Sequence, residues 1–239
     1  VFVKNSGNWK TTNGTFSLYD IGGTTTSRRF NAAAGPLAIA TSLINSRGDS
    51  SPATWAIEWG GSFNGTFNSA FHNVNFSGAL NYLKTGTGAW EVVSPLPVQT
   101  GNASSLTVSS GTLTLDAVNT FTGPALVAGG ATLNLLTTSA LAGAVTVSNT
   151  AALGVVLAGG GTSANSANLE LGVNLTDATS LNLNFSTSGN PPTPLLSVNG
   201  ALNVNGTCTI NIANGALFVG QIPLVHYGSL TGPGSLALG

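Results

Sequence analysis

The sequence predicts an all-β protein whose larger, C-terminal part is a solenoid of stacked parallel strands. Three observations lead to this prediction: a composition suited to turns and strands, short alternating runs, and the recurrence of one such run after about 20 residues. The 239 residues include 32 Gly, 25 Asn, 25 Ser and 30 Thr, and no Met. This composition offers little to helices and much to strands and turns.

Short runs of alternating apolar and polar residues follow one another through the second part of the chain. Leu or Val occupies every second position, as a strand with one buried face requires. These runs lie at 106–108, 113–115, 133–135, 145–147, 169–171, 181–183 and 202–204. Six of their apolar residues are predicted to point inward: Leu113, Leu115, Leu133, Leu135, Val145 and Val147.

Glycine-rich turns separate the runs, and their spacing indicates a repeat. From Gly111 to Gly130 is 19 residues, and the letters GTLTL at 111–115 return as GATLNL at 130–135. A repeat of about 20 residues with one or more short strands per turn is typical of a solenoid.

Stacking of the rungs also makes predictions for polar residues. Asparagines on the strands either form ladders between rungs or remain exposed polar residues, and both interpretations stay open for Asn182, Asn184, Asn203, Asn205 and Asn211. The segment 186–194 contains three prolines, which cannot donate to a strand ladder, so we expect it to loop off the rungs.

Three segments make the second part similar to a known repeat. Residues 111–116 (GTLTLD), 119–123 (NTFTG) and 127–133 (VAGGATL) closely resemble the autotransporter-associated β-strand repeat of bacterial secreted proteins. Residues 220–232 (GQIPLVHYGSLTG) look like the closing segment of such proteins, whereas residues 6–9 (SGNW) match their openings only loosely. The resemblance implies a right-handed parallel β-helix displayed outside a Gram-negative-type cell. The chain contains one clean copy of the repeat, and no outer-membrane barrel follows it. The resemblance therefore implies a passenger fragment or a family member assembled without its own barrel.

Charge and aromatic residues predict a boundary near residue 97. Residues 1–97 contain all six Lys and Arg, four of the seven acids, and 13 of the 17 aromatic residues. We therefore predict an aromatic-rich, β-structured N-terminal region at 1–97, acting as a cap or assembly region, and the parallel β-helix at 98–239.

The scarcity of charge excludes several functions. Lys, Arg, Asp and Glu make up 5% of the chain, against about 25% in typical soluble domains. With a formal net charge of −1 no basic patch for nucleic acid or anionic membranes can form. No apolar run reaches the ~18 residues of a membrane span. One cysteine, Cys208, permits neither an internal disulfide nor a metal site, and we predict a small buried side chain there.

Residues that could support catalysis are few. Parallel β-helices that cleave polysaccharides need grouped carboxylates, often with Lys or Arg. The second part holds Asp116, Glu170 and Asp177, no Lys or Arg, and His226, for which a capping or core hydrogen bond is the preferred interpretation. We therefore predict no catalytic, cofactor or metal site, and a protein that is not an enzyme.

Three N-terminal motifs suggest binding or export but have simpler interpretations. The segment 55–61 (WAIEWGG) places Glu58 between Trp55 and Trp59, which is compatible with a sugar-stacking site but favours core packing. The RGD tripeptide at 47–49 is interpreted as a chance match, and the RR pair at 28–29 as strand and turn rather than an export signal.

Two functions of different classes remain. The preferred one is an exported structural protein of the cell surface, a self-assembling subunit of a fibre or an adhesin stalk, whose partner is a second copy of itself. The alternative is a carbohydrate-binding or carbohydrate-cleaving β-helix with surface glycans as ligands. Val1 is interpreted as a mature or trimmed terminus, consistent with export.

Overall fold

The described part of the chain consists of strands and the turns between them. The computed structural model describes residues 2–3, 9–11, 15–17, 25–40, 42–44, 54–69, 71–72, 79–96, 104–117, 119, 122–137, 140–141, 143–157, 164–185, 190–213 and 219–239. Only the backbone is described before residue 29 and at 42–44, 54–55, 71–72 and 140. Of the residues described, none forms a helix long and apolar enough to cross a membrane.

The strands are short, and their order along the chain is as follows. Strands β1 to β11 are Phe2–Val3, Trp9–Thr11, Thr15–Ser17, Thr25–Ala32, Leu37–Ile39, Ser42–Ile44, Thr54–Gly61, Gly65–Phe67, Phe71–His72, Leu80–Lys84 and Ala89–Val92. Strands β12 to β25 are Ser105–Val108, Thr112–Leu115, Ala125–Val127, Thr132–Leu136, Ala140–Leu141, Val145–Val147, Ala152–Val156, Ala164–Ser166, Leu169–Leu171, Ala178–Asn184, Leu196–Val204, Thr207–Ala213, Val225–Thr231 and Ser235–Leu238.

Every described strand pairing is parallel, and consecutive strands lie in different sheets, except that β16 and β19 lie in the same sheet as β17 and β20, which follow them. Sheet A has the order β1-β4-β7-β10-β12-β14-β17-β20-β22, and β22 pairs further with β19 and β24. Sheet B has the order β2-β5-β8-β11-β13-β15-β18-β21-β23-β25. Strands β3, β6 and β9 form a third face at the N-terminal end. Strand β16 pairs with β19, and β19 pairs with the first part of the long strand β22. The molecule is a parallel β-helix, as the sequence predicts.

The alternation of residue types determines which side chains fill the bore. All six residues predicted to point inward are buried, at 1% exposure or less. They stack in register with their counterparts above and below, as in the column Leu113, Leu133, Leu153, Leu181 and Ile210 of sheet B. The described part of the predicted proline loop, 190–194, lies outside the strands.

Large aromatic side chains fill the bore in the N-terminal half. Trp59 stacks on Tyr82 at a ring-centroid distance of 6.0 Å and meets Phe67 edge to face at 5.6 Å. A Cβ atom at Gly65 would lie 2.5 Å from the Trp90 ring, so that glycine provides the space for the indole. The same two sheets run on both sides of residue 97, because β10 pairs with β12 and β11 with β13. The parallel stacking thus extends from β1 to β25, with aromatic filling in the N-terminal half and aliphatic filling beyond it.

Candidate functional site

The rung formed by β24 and β25 exposes apolar side chains that face the bore. Tyr227 and Leu230 of β24 lie in register with the buried Val198 and Leu202. Leu236 and Leu238 of β25 lie in register with the buried Cys208 and Ile210. Ile210 is 9% exposed, whereas Leu238 above it is 72% exposed, because no further described rung covers it. This rung therefore presents an open section of the hydrophobic core.

The backbone of the same rung is also open. Among the described strands, β24 pairs only with β22, and β25 only with β23, so each leaves one row of N–H and C=O groups unpaired by a strand. Residues 225–239 contain no Lys, Arg, Asp or Glu, and their single proline, Pro233, lies between the strands. Charge and proline are two of the devices by which proteins block such edges, and the strands of this rung have neither.

The opposite end of the β-helix has the complementary strand edges. Within the described strands, β1 pairs only with β4, and β2 only with β5. Sheets A and B both run from this end to the other, so each sheet has one free edge at each end. Since all these strands are parallel, β24 and β25 run in the same direction as β1 and β2. At both ends the strand of sheet A also precedes the strand of sheet B along the chain.

A buried lysine, which the sequence analysis did not single out, lies inside the N-terminal half. Lys84 occupies a bore-facing position of sheet A, in register with Trp59 and Val108, and it is fully buried. Its Nζ donates hydrogen bonds to the carbonyl oxygens of Thr85, Gly86 and Ser110 at 2.8–2.9 Å. Burial lowers the pKa of this ammonium group to about 8. Through these three hydrogen bonds Lys84 links two successive corners of the solenoid.

The Trp-Glu-Trp segment belongs partly to the core. The buried Trp59 confirms the core interpretation for that residue, while the Trp55 side chain and the 47–49 tripeptide lie outside what the structure describes. Glu58 points outward and accepts hydrogen bonds from Arg29 and from Thr85. Partial burial opposes ionisation of Glu58, but these bonds outweigh it and hold the pKa of the carboxyl below its ordinary value. Arg29 lies in β4, as the strand interpretation of the arginine pair predicts.

The acids of the second part have separate structural contacts. Glu170 accepts hydrogen bonds from Thr146 Oγ1 at 3.3 Å and Asn205 Nδ2 at 3.0 Å. Asp177 accepts the backbone N–H groups of Val173 and Asn174, which lower the pKa of its carboxyl. The described residues contain no group of three or more His, Cys, Asp or Glu placed to hold a metal ion.

His226 and Cys208 have different environments. His226 is exposed on the outer face, with Nδ1 3.4 Å from Ser197 Oγ of the neighbouring rung, so the contact is a cross-rung one and not a core hydrogen bond. Cys208 is fully buried, as predicted, and burial raises the pKa of its thiol.

The predicted asparagine ladders form in part. Asn211 Nδ2 donates to Asn182 Oδ1 at 2.8 Å across one rung step. Asn205 instead bonds Glu170 and the carbonyl of Gly172, and Asn203 accepts from Thr231 at 3.5 Å. The Oδ1 atom of Asn184 is buried and has no partner in the described structure.

No known protein family, curated protein or solved structure matches this chain. The class that the fold defines is a parallel β-helix in which the described rung of β24 and β25 is open and apolar.

Proposed function

We propose that this protein is an extracellular structural subunit that assembles end to end, with the β24–β25 rung of one copy stacking on the β1–β2 rung of the next. The observation that carries the proposal is the exposed, bore-facing set Tyr227, Leu230, Leu236 and Leu238 on unpaired parallel strands. The low charge of the chain and its resemblance to passenger repeats support a place outside the cell.

The contact joins two different faces of identical subunits and is therefore heterologous. Such a contact propagates as a filament when its rotation does not close into a ring. Stacking would pair backbone groups on both sheets and bury the four apolar side chains, so hydrogen bonding and the hydrophobic effect act together. An adhesin stalk or a fibre requires this kind of extended, chemically inert structure.

Sedimentation velocity of the 239-residue chain across a range of concentrations tests the proposal, with electron microscopy of the same samples. We expect the sedimentation coefficient to rise with concentration and the images to show filaments with a cross-section of one β-helix. A 239-residue chain that stays monomeric at millimolar concentration would disprove it.

Two variants on one strand separate stacking from general solubility. Leu236→Lys places a charge on the bore side of the open rung, and association should weaken at least tenfold, since the ammonium group would be buried unpaired in the contact. Ala237→Lys places the same charge on the outer side of β25 and should associate like the wild type. Equal weakening by both variants would contradict a bore-to-bore contact.

A further inference from the structure

One column of register positions in sheet B runs from β2 to β25. Its members pair from rung to rung in this order: Trp9, Leu37, Gly65, Trp90, Leu113, Leu133, Leu153, Leu181, Ile210 and Leu238. Between the two ends of the column the apolar side chains are buried, at 9% exposure or less, whereas Leu238 is 72% exposed. Trp9 therefore occupies the register position of a bore residue at the opposite end.

A second column, in sheet A, runs from Phe2 to Gly232. From Phe2 it continues, rung by rung, through Phe30, Trp59, Lys84, Val108, Val127, Val147, Leu171 and Val204. On β24, Thr231 pairs with Asn203, so the next residue, Gly232, follows Val204 in the column. The rung of β24 and β25 thus contributes no side chain to the column of Phe2.

The two ends of the β-helix also match in shape. Along these columns each described rung has one strand of sheet A and one of sheet B, so neither sheet projects beyond the other at either end. The step from the first column to the second takes six or seven residues at both ends and on the two rungs that follow β1 and β2: 2–9, 30–37, 59–65 and 232–238. Rungs with corners of these lengths already pair in both sheets at once inside the molecule.

We infer that two copies stack in one fixed register, with Trp9 of one copy over Leu238 of the other and Phe2 over Gly232. This inference rests on the proposed end-to-end assembly and identifies the residues of the second copy that the open rung accepts. Both columns then continue through the contact, and the indole of Trp9 covers the exposed Leu238.

Other registers are less favourable. A shift of one residue would turn Phe2 and Trp9 away from the bore, because side chains alternate between the two faces of a strand. A shift of two residues keeps the faces but places Phe2 over Leu230 instead of Gly232.

A glycine below an aromatic residue already occurs inside the bore. Gly65 pairs with Trp90 of the next rung, and a Cβ atom at Gly65 would lie 2.5 Å from the Trp90 ring. Gly232 below Phe2 repeats this combination at the contact. Since interiors are closely packed, a large ring is best accommodated where the neighbouring rung adds no side chain.

Continuous pairing determines the repeat of the filament. Each sheet contributes ten strands to the described rungs, and at the ~4.8 Å separation of neighbouring strands one subunit adds about 48 Å. Helical reconstruction from electron micrographs should give this rise per subunit. A rise longer by one strand separation or more would show that the sheets do not pair across the contact, and would overturn the inference.

Solid-state NMR of filaments grown from equal amounts of ¹⁵N-labelled and ¹³C-labelled chains reads the register. Only contacts between copies give ¹⁵N–¹³C cross-peaks in such a mixture. We expect cross-peaks that join Trp9 to Leu238 and Phe2 to Gly232. Cross-peaks that join Trp9 to Leu236 would overturn this register and leave end-to-end assembly in place. Cross-peaks confined to the sides of the β-helix would contradict both.

Opposite charges test the same contact in solution. Trp9→Lys and Leu238→Glu each place an unpaired charge in the contact, and each variant alone should associate at least tenfold more weakly than the wild type. In a mixture of the two variants the ammonium and carboxylate groups meet, and sedimentation velocity should show at least fivefold tighter association than for either variant alone.

Trp9→Lys mixed with Leu236→Glu is the matched control. Leu236 lies on the same face of β25 as Leu238 but two residues away, about 6.6 Å along the strand, so this mixture should recover no more than twofold. Equal recovery in both mixtures would overturn the register. If Trp9→Lys does not fold by circular dichroism, the NMR experiment on the wild type decides. A wild-type chain that does not assemble contradicts the proposed function, whereas assembly in another register contradicts only this inference.

Discussion

At the scale of single residues, Lys84 is the clearest departure from an apolar bore. Its neighbours in the same column include Phe30, Trp59, Val108 and Val127, all buried. The long side chain reaches the end of the strand, where its ammonium group meets three carbonyl oxygens of two corners. A buried cation is tolerable only with such hydrogen bonds, and burial still lowers the pKa of the ammonium group.

Lys84→Met should destabilise the fold and remove a pH dependence. Three buried carbonyl oxygens lose their donor, and we expect the free energy of unfolding to fall by about 2–3 kcal/mol at pH 7. In the wild type the folded pKa of about 8 lies below the ordinary value of 10.5, so between these values the unfolded chain binds more protons. The stability of the wild type relative to Lys84→Met should therefore rise from pH 8 to pH 9.5, by no more than about 1.4 kcal/mol per pH unit.

Urea unfolding of both proteins at pH 7, 8 and 9.5 measures this difference. Lys84→Arg is the control for charge, since it keeps a cation but does not titrate in this range. A constant difference between wild type and Lys84→Met across the three pH values would show that the pKa of Lys84 is not lowered in the folded protein.

Gly111 and Gly130 provide a matched test of how tightly the corners are packed. Both have positive φ, at 65° and 75°. A Cβ at Gly111 would lie 2.6 Å from the Gly86 carbonyl oxygen and 2.9 Å from Lys84 Nζ, whereas at Gly130 nothing lies within 4 Å. The rung position of Gly130 is taken on the next rung by Thr150, at φ 61°, so a side chain is accommodated there.

Gly111→Ala should therefore lower the free energy of unfolding by more than about 2 kcal/mol, and Gly130→Ala by about 1 kcal/mol. Only the first substitution adds a steric clash to backbone strain. Thermal unfolding by circular dichroism compares the two variants. Equal losses of stability would mean that backbone conformation alone explains why glycine occupies both positions.

At the scale of the strand, burial follows the alternation of the sequence. In β15, Leu133 and Leu135 are buried between the half-exposed Thr132, Asn134 and Leu136. Leu133→Ala should lower the free energy of unfolding by 2–5 kcal/mol through lost burial and a cavity in the bore, as is usual for core leucines. Thr132→Ala on the same strand should change it by less than about 0.5 kcal/mol. Chemical denaturation of the two variants provides the comparison, and similar losses would show that β15 does not bury one face.

At the scale of the whole molecule, low charge determines how copies would associate. The chain carries 13 ionisable Lys, Arg, Asp and Glu residues with a formal net charge of −1, and none of them lies in residues 225–239. Apolar burial and backbone pairing are little affected by screening, unlike contacts between charges.

We therefore expect the midpoint concentration for self-association to change by less than threefold between 50 and 500 mM NaCl. Sedimentation velocity at the two salt concentrations measures it. A loss of association of tenfold or more in high salt would show that ion pairs, and not the open rung, hold the copies together.

Much of the local structure could be read from the sequence. Alternating Leu and Thr or Asn predicted which side chains fill the bore, and the burial of Leu113, Leu133 and Val145 confirms it. Cys208 and Trp59 were also placed correctly in the core. These outcomes depend on period-two geometry, which the order of neighbouring residues determines directly.

The open rung of β24 and β25 could be predicted only in part. The uncharged, strand-like C-terminal segment was visible in the sequence, but the register that places Leu236 over Cys208 was not.

The sequence by itself determined that the chain forms short, one-sided strands with few charges and a bore of aliphatic and aromatic residues. Only the tertiary structure decided that parallel stacking includes the N-terminal half, that Lys84 lies inside it, and which residues meet across rungs. The physical reason is that rung lengths vary, from 19 residues between Leu106 and Ala125 to 33 between Leu169 and Leu202. With unequal loops the register between rungs is chosen by packing and backbone pairing together, and no local pattern encodes it.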